Sequence, residues 1–119
     1  MSYDIELLDP ITKERIDFDS PHFIGGGTYA EGGTTEAWLN ITYNYSNHFR
    51  RVLGDEGIRT IYGMTGAESL PVLKSAANKL GNEVNGDYWT ATEGNAKRAL
   101  LGLVAFAEMR PDGIWNGEA

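Results

Sequence analysis

The chain of 119 residues contains no cysteine and only two histidines. Without thiols it has no disulfide, zinc ribbon, iron–sulfur cluster or thiolate nucleophile. The two histidines, His22 and His48, stand apart, with no H-x-H or H-E-x-x-H spacing that would build a metal site. Bases are scarce: 10 Lys and Arg face 17 Asp and Glu, for a net charge of −7. A surface of that sign repels phosphates, so direct nucleic-acid binding is not expected. No apolar run approaches the roughly 18 residues of a membrane span. The first residues lack the basic and apolar segments of a signal peptide, which points to a cytoplasmic protein. A G-x-S-x-G nucleophile elbow is missing too.

What is present suits an ordinary folded chain, with 41% hydrophobic and 23% charged residues. The length fits one domain over 1–119. The acidity is uneven. Residues 1–47 carry eight acids and two bases, whereas residues 48–119 carry nine acids and eight bases. An acidic first third suits solubility, a basic partner or mimicry of a nucleic-acid backbone.

Residues 3–8 and 14–19 alternate apolar with polar residues around the turn at Asp9-Pro10, which predicts a β-hairpin. Gly25, Gly26, Gly27, Gly32 and Gly33 make 20–35 a loop. Residues 36–45 form the strongest strand pattern, with Ala37, Leu39, Ile41, Tyr43 and Tyr45 on one face. Trp38, Asn40, Thr42 and Asn44 share the other. Ser46 predicts the cap of a helix over 47–53 ended by Gly54. Residues 58–63 fit a short strand or a helical turn equally.

Thr65-Gly66-Ala67-Glu68 has capping-box spacing ahead of a helix to Leu80. Its interior Pro71 suggests that the regular helix begins nearer that residue. Thr92 predicts the cap of a last helix over 93–109, and Ile114-Trp115 docks the tail. Strands first and helices after predict an α+β fold: a small antiparallel sheet, made of the N-terminal hairpin and strand 36–45, packed with C-terminal helices.

Four places carry possible chemistry. Gly25 to Ala30 fits the letters G-x-G-x-x-A, but no strand-then-helix context surrounds it, so a lid bearing Thr28 and Tyr29 is the functional alternative to a plain loop. The uncharged face of Trp38, Asn40, Thr42 and Asn44 suits stacking on and hydrogen bonding to an aromatic ligand; a strand covered by a helix or a subunit is the competing reading. Arg59, Tyr62, Thr65 and Gly66 surround a predicted helix start, where free N–H groups favour an anion. Lys97 and Arg98 lie near another helix start and are expected to pair with the acidic N-terminal hairpin. No motif implies a cofactor, a metal or a catalytic residue.

Gly26-Gly27-Thr28-Tyr29, the 39–46 stretch LNITYNYS, and segments 58–69, 92–100 and 109–115 resemble small uncharacterised proteins of phages and mobile elements in bacteria. Such a resemblance implies a counter-defence protein in the bacterial host cell. The expected function is a sponge that sequesters a nucleotide-like immune signal without turnover, with a homo-oligomer as the expected assembly. Its ligand residues would be Thr28, Tyr29, Trp38, Asn40, Thr42, Asn44, Arg59, Tyr62, Thr65 and Gly66. The alternatives are an acidic inhibitor or DNA mimic acting on a host defence complex and, more weakly, a nucleotide-signal hydrolase.

Overall fold

β1 (Ser2–Leu8) is the middle strand of a three-stranded antiparallel sheet ordered β4-β1-β5. The computed structural model describes residues 2–22 and 34–118. On one edge β1 pairs with β4 (Trp38–Thr42), from Ser2 opposite Thr42 to Glu6 opposite Trp38. On the other it pairs with β5 (Ile114–Glu118), from Asp4 opposite Glu118 to Leu8 opposite Ile114. The period of two in β1 sends Tyr3, Ile5 and Leu7 inward, where they are buried with Leu39, Ile41 and Trp115. The helices supply the rest of this core, including Phe49, Leu73, Leu100, Leu103 and Phe106. The fold is α+β.

The expected hairpin does not form. The chain turns after Leu8, and the Asp9 carboxylate accepts the N–H groups of Ile11 and Thr12 at 2.8 and 3.0 Å. Among the described residues, the main chain of the return path meets β1 at the Leu8–Arg15 bridge and at Ile16 N–H, which donates to the Leu7 carbonyl at 2.9 Å. β2 (Asp17–His22) then pairs with β3 (Thr34–Glu36) in a separate two-stranded sheet. Both edges of β1 are taken by strands that bring Leu39, Ile41 and Trp115 to the core; Phe18, from β2, is only partly buried.

The strand expected over 36–45 ends at Thr42. A 3-10 turn follows at Tyr43–Tyr45, with the Thr42 hydroxyl accepting the Asn44 N–H at 3.2 Å. α1 (Ser46–Leu53) runs as expected to Gly54, but Ser46 is not its cap. The Ser46 hydroxyl meets that of Tyr3 at 2.6 Å instead. The ambiguous stretch is a 3-10 helix, Gly57–Ile61. α2 (Gly66–Asn78) starts at the capping box of Thr65 and Glu68 and carries Pro71 in its interior on the exposed side. There the missing N–H leaves one carbonyl of the first turn to solvent. α3 (Glu93–Met109) begins at its Thr92 cap. β5 is a strand where only a docked tail was expected. No helix among the described residues is long and apolar enough to cross a membrane.

The connection from α2 to α3 is held at many points. Asn95, buried in α3, donates to the carbonyls of Asp87 and Thr90 and accepts the Asn85 N–H, all between 3.0 and 3.1 Å. Asn44 donates to the Trp89 carbonyl at 2.8 Å, and Tyr45 donates to that of Tyr88. The Tyr88 hydroxyl accepts the Thr42 N–H at 2.7 Å and donates to the Asn40 carbonyl at 3.4 Å, along the outer edge of β4.

Candidate functional site

The same alternation that fills the core places Asp4 and Glu6 of β1, Trp38 and Asn40 of β4, and Asn116 and Glu118 of β5 on the opposite face of the sheet. The turn after β1 adds Arg15, and the end of β3 adds Glu36. Asp4, Glu6, Arg15, Glu36, Trp38 and Glu118 line a groove of about 450 Å³ on this outer face. That volume lies within the roughly 300–1,000 Å³ usual for ligand clefts. Its lining carries four carboxylates and one guanidinium.

The groove is internally organised. Asn40 Nδ2 donates to Asp4 Oδ1 at 2.9 Å and to Ser2 Oγ at 2.7 Å. Asn116 Nδ2 donates to Glu6 Oε2 at 2.9 Å. Arg15 Nε donates to Glu6 Oε1 at 3.1 Å, and its Nη1 lies 3.5 Å from Glu36 Oε2. The Arg15 guanidinium also sits 5.8 Å from the Trp38 ring centroid, within cation–π range. Asp4 and Glu118 face each other directly across the β1–β5 ladder. Like charges so placed repel, and a cation between them relieves the repulsion.

The residues expected to bind a ligand do not converge here. Trp38 and Asn40 reach the outer face. Thr42 is buried and caps the 3-10 turn, and Asn44 fastens the Trp89 carbonyl, because the backbone leaves the strand after Thr42. Thr28 and Tyr29 lie outside the described residues, as does the glycine-rich segment around them.

The start of α2 has no N–H to spare for an anion. Gly66 N–H donates to the Gly113 carbonyl at 2.8 Å and Ala67 N–H to that of Pro111 at 2.9 Å. Glu68 N–H donates to the Thr65 hydroxyl at 3.1 Å, and the Glu68 carboxylate accepts the Thr65 N–H at 3.0 Å. That N–H bond, followed by the hydroxyl contact, holds the Glu68 carboxyl below its ordinary value of 4.5. A Cβ on Gly66 would come within 2.9 Å of the Arg110 carbonyl, so this glycine serves close packing against residues 110–111.

Arg59 and Tyr62 sit at the other end of the sheet. The Arg59 guanidinium lies 5.9 Å from the Tyr3 ring centroid. The Tyr62 ring packs over Gly117, and its buried hydroxyl has no hydrogen-bond partner among the described residues. Burial pushes the Tyr62 phenol up to about 12. Lys97 donates to Asn82 at 2.9 Å, in the connection between α2 and α3, rather than to an N-terminal acid. His48 Nε2 lies 2.8 Å from the Ala91 carbonyl and its Nδ1 3.2 Å from Arg51, so that side chain pins the same connection.

Of the residues lining the groove, sequence reasoning named Trp38 and missed Asp4, Glu6, Arg15, Glu36 and Glu118. The available signal was the acidic side of the first alternation, Asp4 and Glu6, which marks a charged strand face. It needed the position of β5 to become a groove. No protein-family model, no curated protein and no solved structure matches the chain.

Proposed function

We propose that the protein is an acidic interaction domain that docks a positively charged partner on the outer face of its sheet and thereby occupies that partner's basic surface. The supporting observation is that Asp4, Glu6, Glu36 and Glu118 line one groove with Trp38, on the sheet face opposite the core. Arg15 offsets one of the four charges and leaves the groove at −3. Charge complementarity of this kind speeds encounter and selects partners by sign. In the bacterial setting suggested by the phage-like sequence segments, the partner would be a basic element of a host defence complex.

Nucleotide sequestration fits this geometry less well. A phosphate beside Trp38 would enter a groove lined by four carboxylates, and the guanidinium there is held by Glu6 and Glu36. The test is calorimetric titration of the protein with an acetylated tetra-arginine amide. Binding that weakens steeply with salt, and weakens again in Asp4→Asn/Glu118→Gln, is expected. Absence of binding at low salt, or binding indifferent to both carboxylates, would overturn the reading. Depletion of a cyclic nucleotide from solution by the protein would restore the sponge.

A further inference from the structure

We infer that the groove reads an arginine side chain of its partner, and that Arg15 is a built-in occupant which the partner's arginine displaces from Trp38. The inference rests on the acidic-docking reading above and names the chemistry recognised.

The Arg15 guanidinium already makes the contacts that such a ligand would make. Its Nε donates to Glu6, its Nη1 approaches Glu36, and its plane lies near the Trp38 ring. Two carboxylates beside an indole suit a planar, forked, weakly hydrated cation better than the compact, strongly hydrated ammonium of lysine. A divalent metal is a poorer fit, because no group of three or more carboxylate or imidazole side chains among the described residues is placed to hold one.

Arg15 can leave without disturbing the core. Its side chain is 36% exposed, and the turn before it, from Ile11 to Glu14, is exposed throughout. The neighbouring Ile16 is buried and its N–H is bonded to Leu7, so the backbone stays anchored while the side chain swings away. Exposed ion pairs and cation–π contacts are weak enough to exchange with equivalent ones. What favours the exchange is the remaining charge. The Glu118 carboxylate makes no hydrogen bond or ion pair among the described residues, and Glu118 faces Asp4 across the ladder. A partner with two or more arginines fills the Trp38 position and neutralises this pair at once.

The experiment compares wild type with Arg15→Ala, titrated by calorimetry with acetylated tetra-arginine amide and with the tetra-lysine analogue. Arg15→Ala is expected to bind tetra-arginine about tenfold more tightly, the scale of one exposed cation–π contact with its ion pair. Its gain for tetra-lysine should be clearly smaller, and the tetra-arginine gain should vanish in Arg15→Ala/Trp38→Ala. Equal gains for both peptides would mean a bare charge effect and would overturn the inference. So would tetra-arginine binding no tighter than wild type, and in both cases the acidic-docking reading would stand. If neither protein binds either peptide, both fall. Should Arg15→Ala melt early, Arg15→Gln, which keeps the aliphatic stem, carries the same comparison.

Discussion

Glu6 and Leu7 are consecutive residues of β1, and each faces a tryptophan. Across from Leu7, Trp115 points inward; it is 1% exposed, and its indole N–H donates to Ser69 Oγ at 2.7 Å. Across from Glu6, Trp38 points outward, half-buried beside Arg15. One residue type thus serves two ends on one sheet. On the inner face the indole is enclosed by helices and its polar atom is satisfied. On the outer face it is surrounded by charge. The parity of the strand position, rather than the residue, decides between packing in the core and a place in the charged groove.

Substitutions can break or sharpen this contrast. Trp115→Ala should have the largest effect, about 3–5 kcal/mol by urea unfolding; a cost below about 1 kcal/mol would mean that the inner face is not the core. Gly117→Ala comes next. Its new Cβ would run into the Tyr62 ring, so a loss of about 1–3 kcal/mol is expected, and the loss should shrink in a Tyr62→Ala background. On the outer face, Trp38→Ala should cost about 1 kcal/mol or less in stability while weakening binding of tetra-arginine several-fold. If it instead unfolds the protein, the two faces are not distinct in the way described.

The acid limb of stability offers a gentler test. The carboxyls of Glu68, Asp9, Glu93 and Asp112 are all held below their ordinary values, mainly by backbone N–H groups in the first three and by Arg110 in the last. Depressed carboxyls contribute stability above their unfolded values and lose it as pH falls through the folded ones. Melting temperature should therefore hold above about pH 5 and drop below about pH 4, less steeply in Glu68→Gln. Smallest of all, Glu118→Gln should raise stability by about 0.2–0.5 kcal/mol at low salt by relieving its opposition to Asp4. That gain should fade at high salt.

The helices were largely legible because their starts are local chemistry. Thr65 with Glu68, and Thr92 ahead of Asn95, announce α2 and α3 within a few residues of chain. The sheet was less so. Alternation at 3–8 and 14–19 shows that strands exist, but not what they pair with, and β1 finds β5 about a hundred residues away. Ile114 to Glu118 is short and carries Asn116 and Gly117, so nothing local marks it as a strand. The candidate site inherits the same gap. Trp38 and Asn40 were placed on the outward face by periodicity, yet the carboxylates that give the groove its character arrive by long-range pairing. Asn44 left that face because the backbone tightens after Thr42 into a 3-10 turn, which the buried Thr42 hydroxyl caps and period-two reasoning does not foresee.

The Tyr88 hydroxyl on the rim of β4 has a consequence for how the sheet meets other molecules. A strand with unpaired main-chain groups invites further strands, whether a partner's or those of another copy, and proteins suppress this by blocking the rim. Tyr88 does so at Asn40 and Thr42, using one phenol as both acceptor and donor. At the other rim, the chain around Gly63 to Met64 bonds both main-chain groups of Trp115. The sheet is therefore plugged against β-augmentation and self-templating at these positions. Tyr88→Phe would uncap Thr42 and Asn40 and open that stretch of the rim to pairing with an extended backbone.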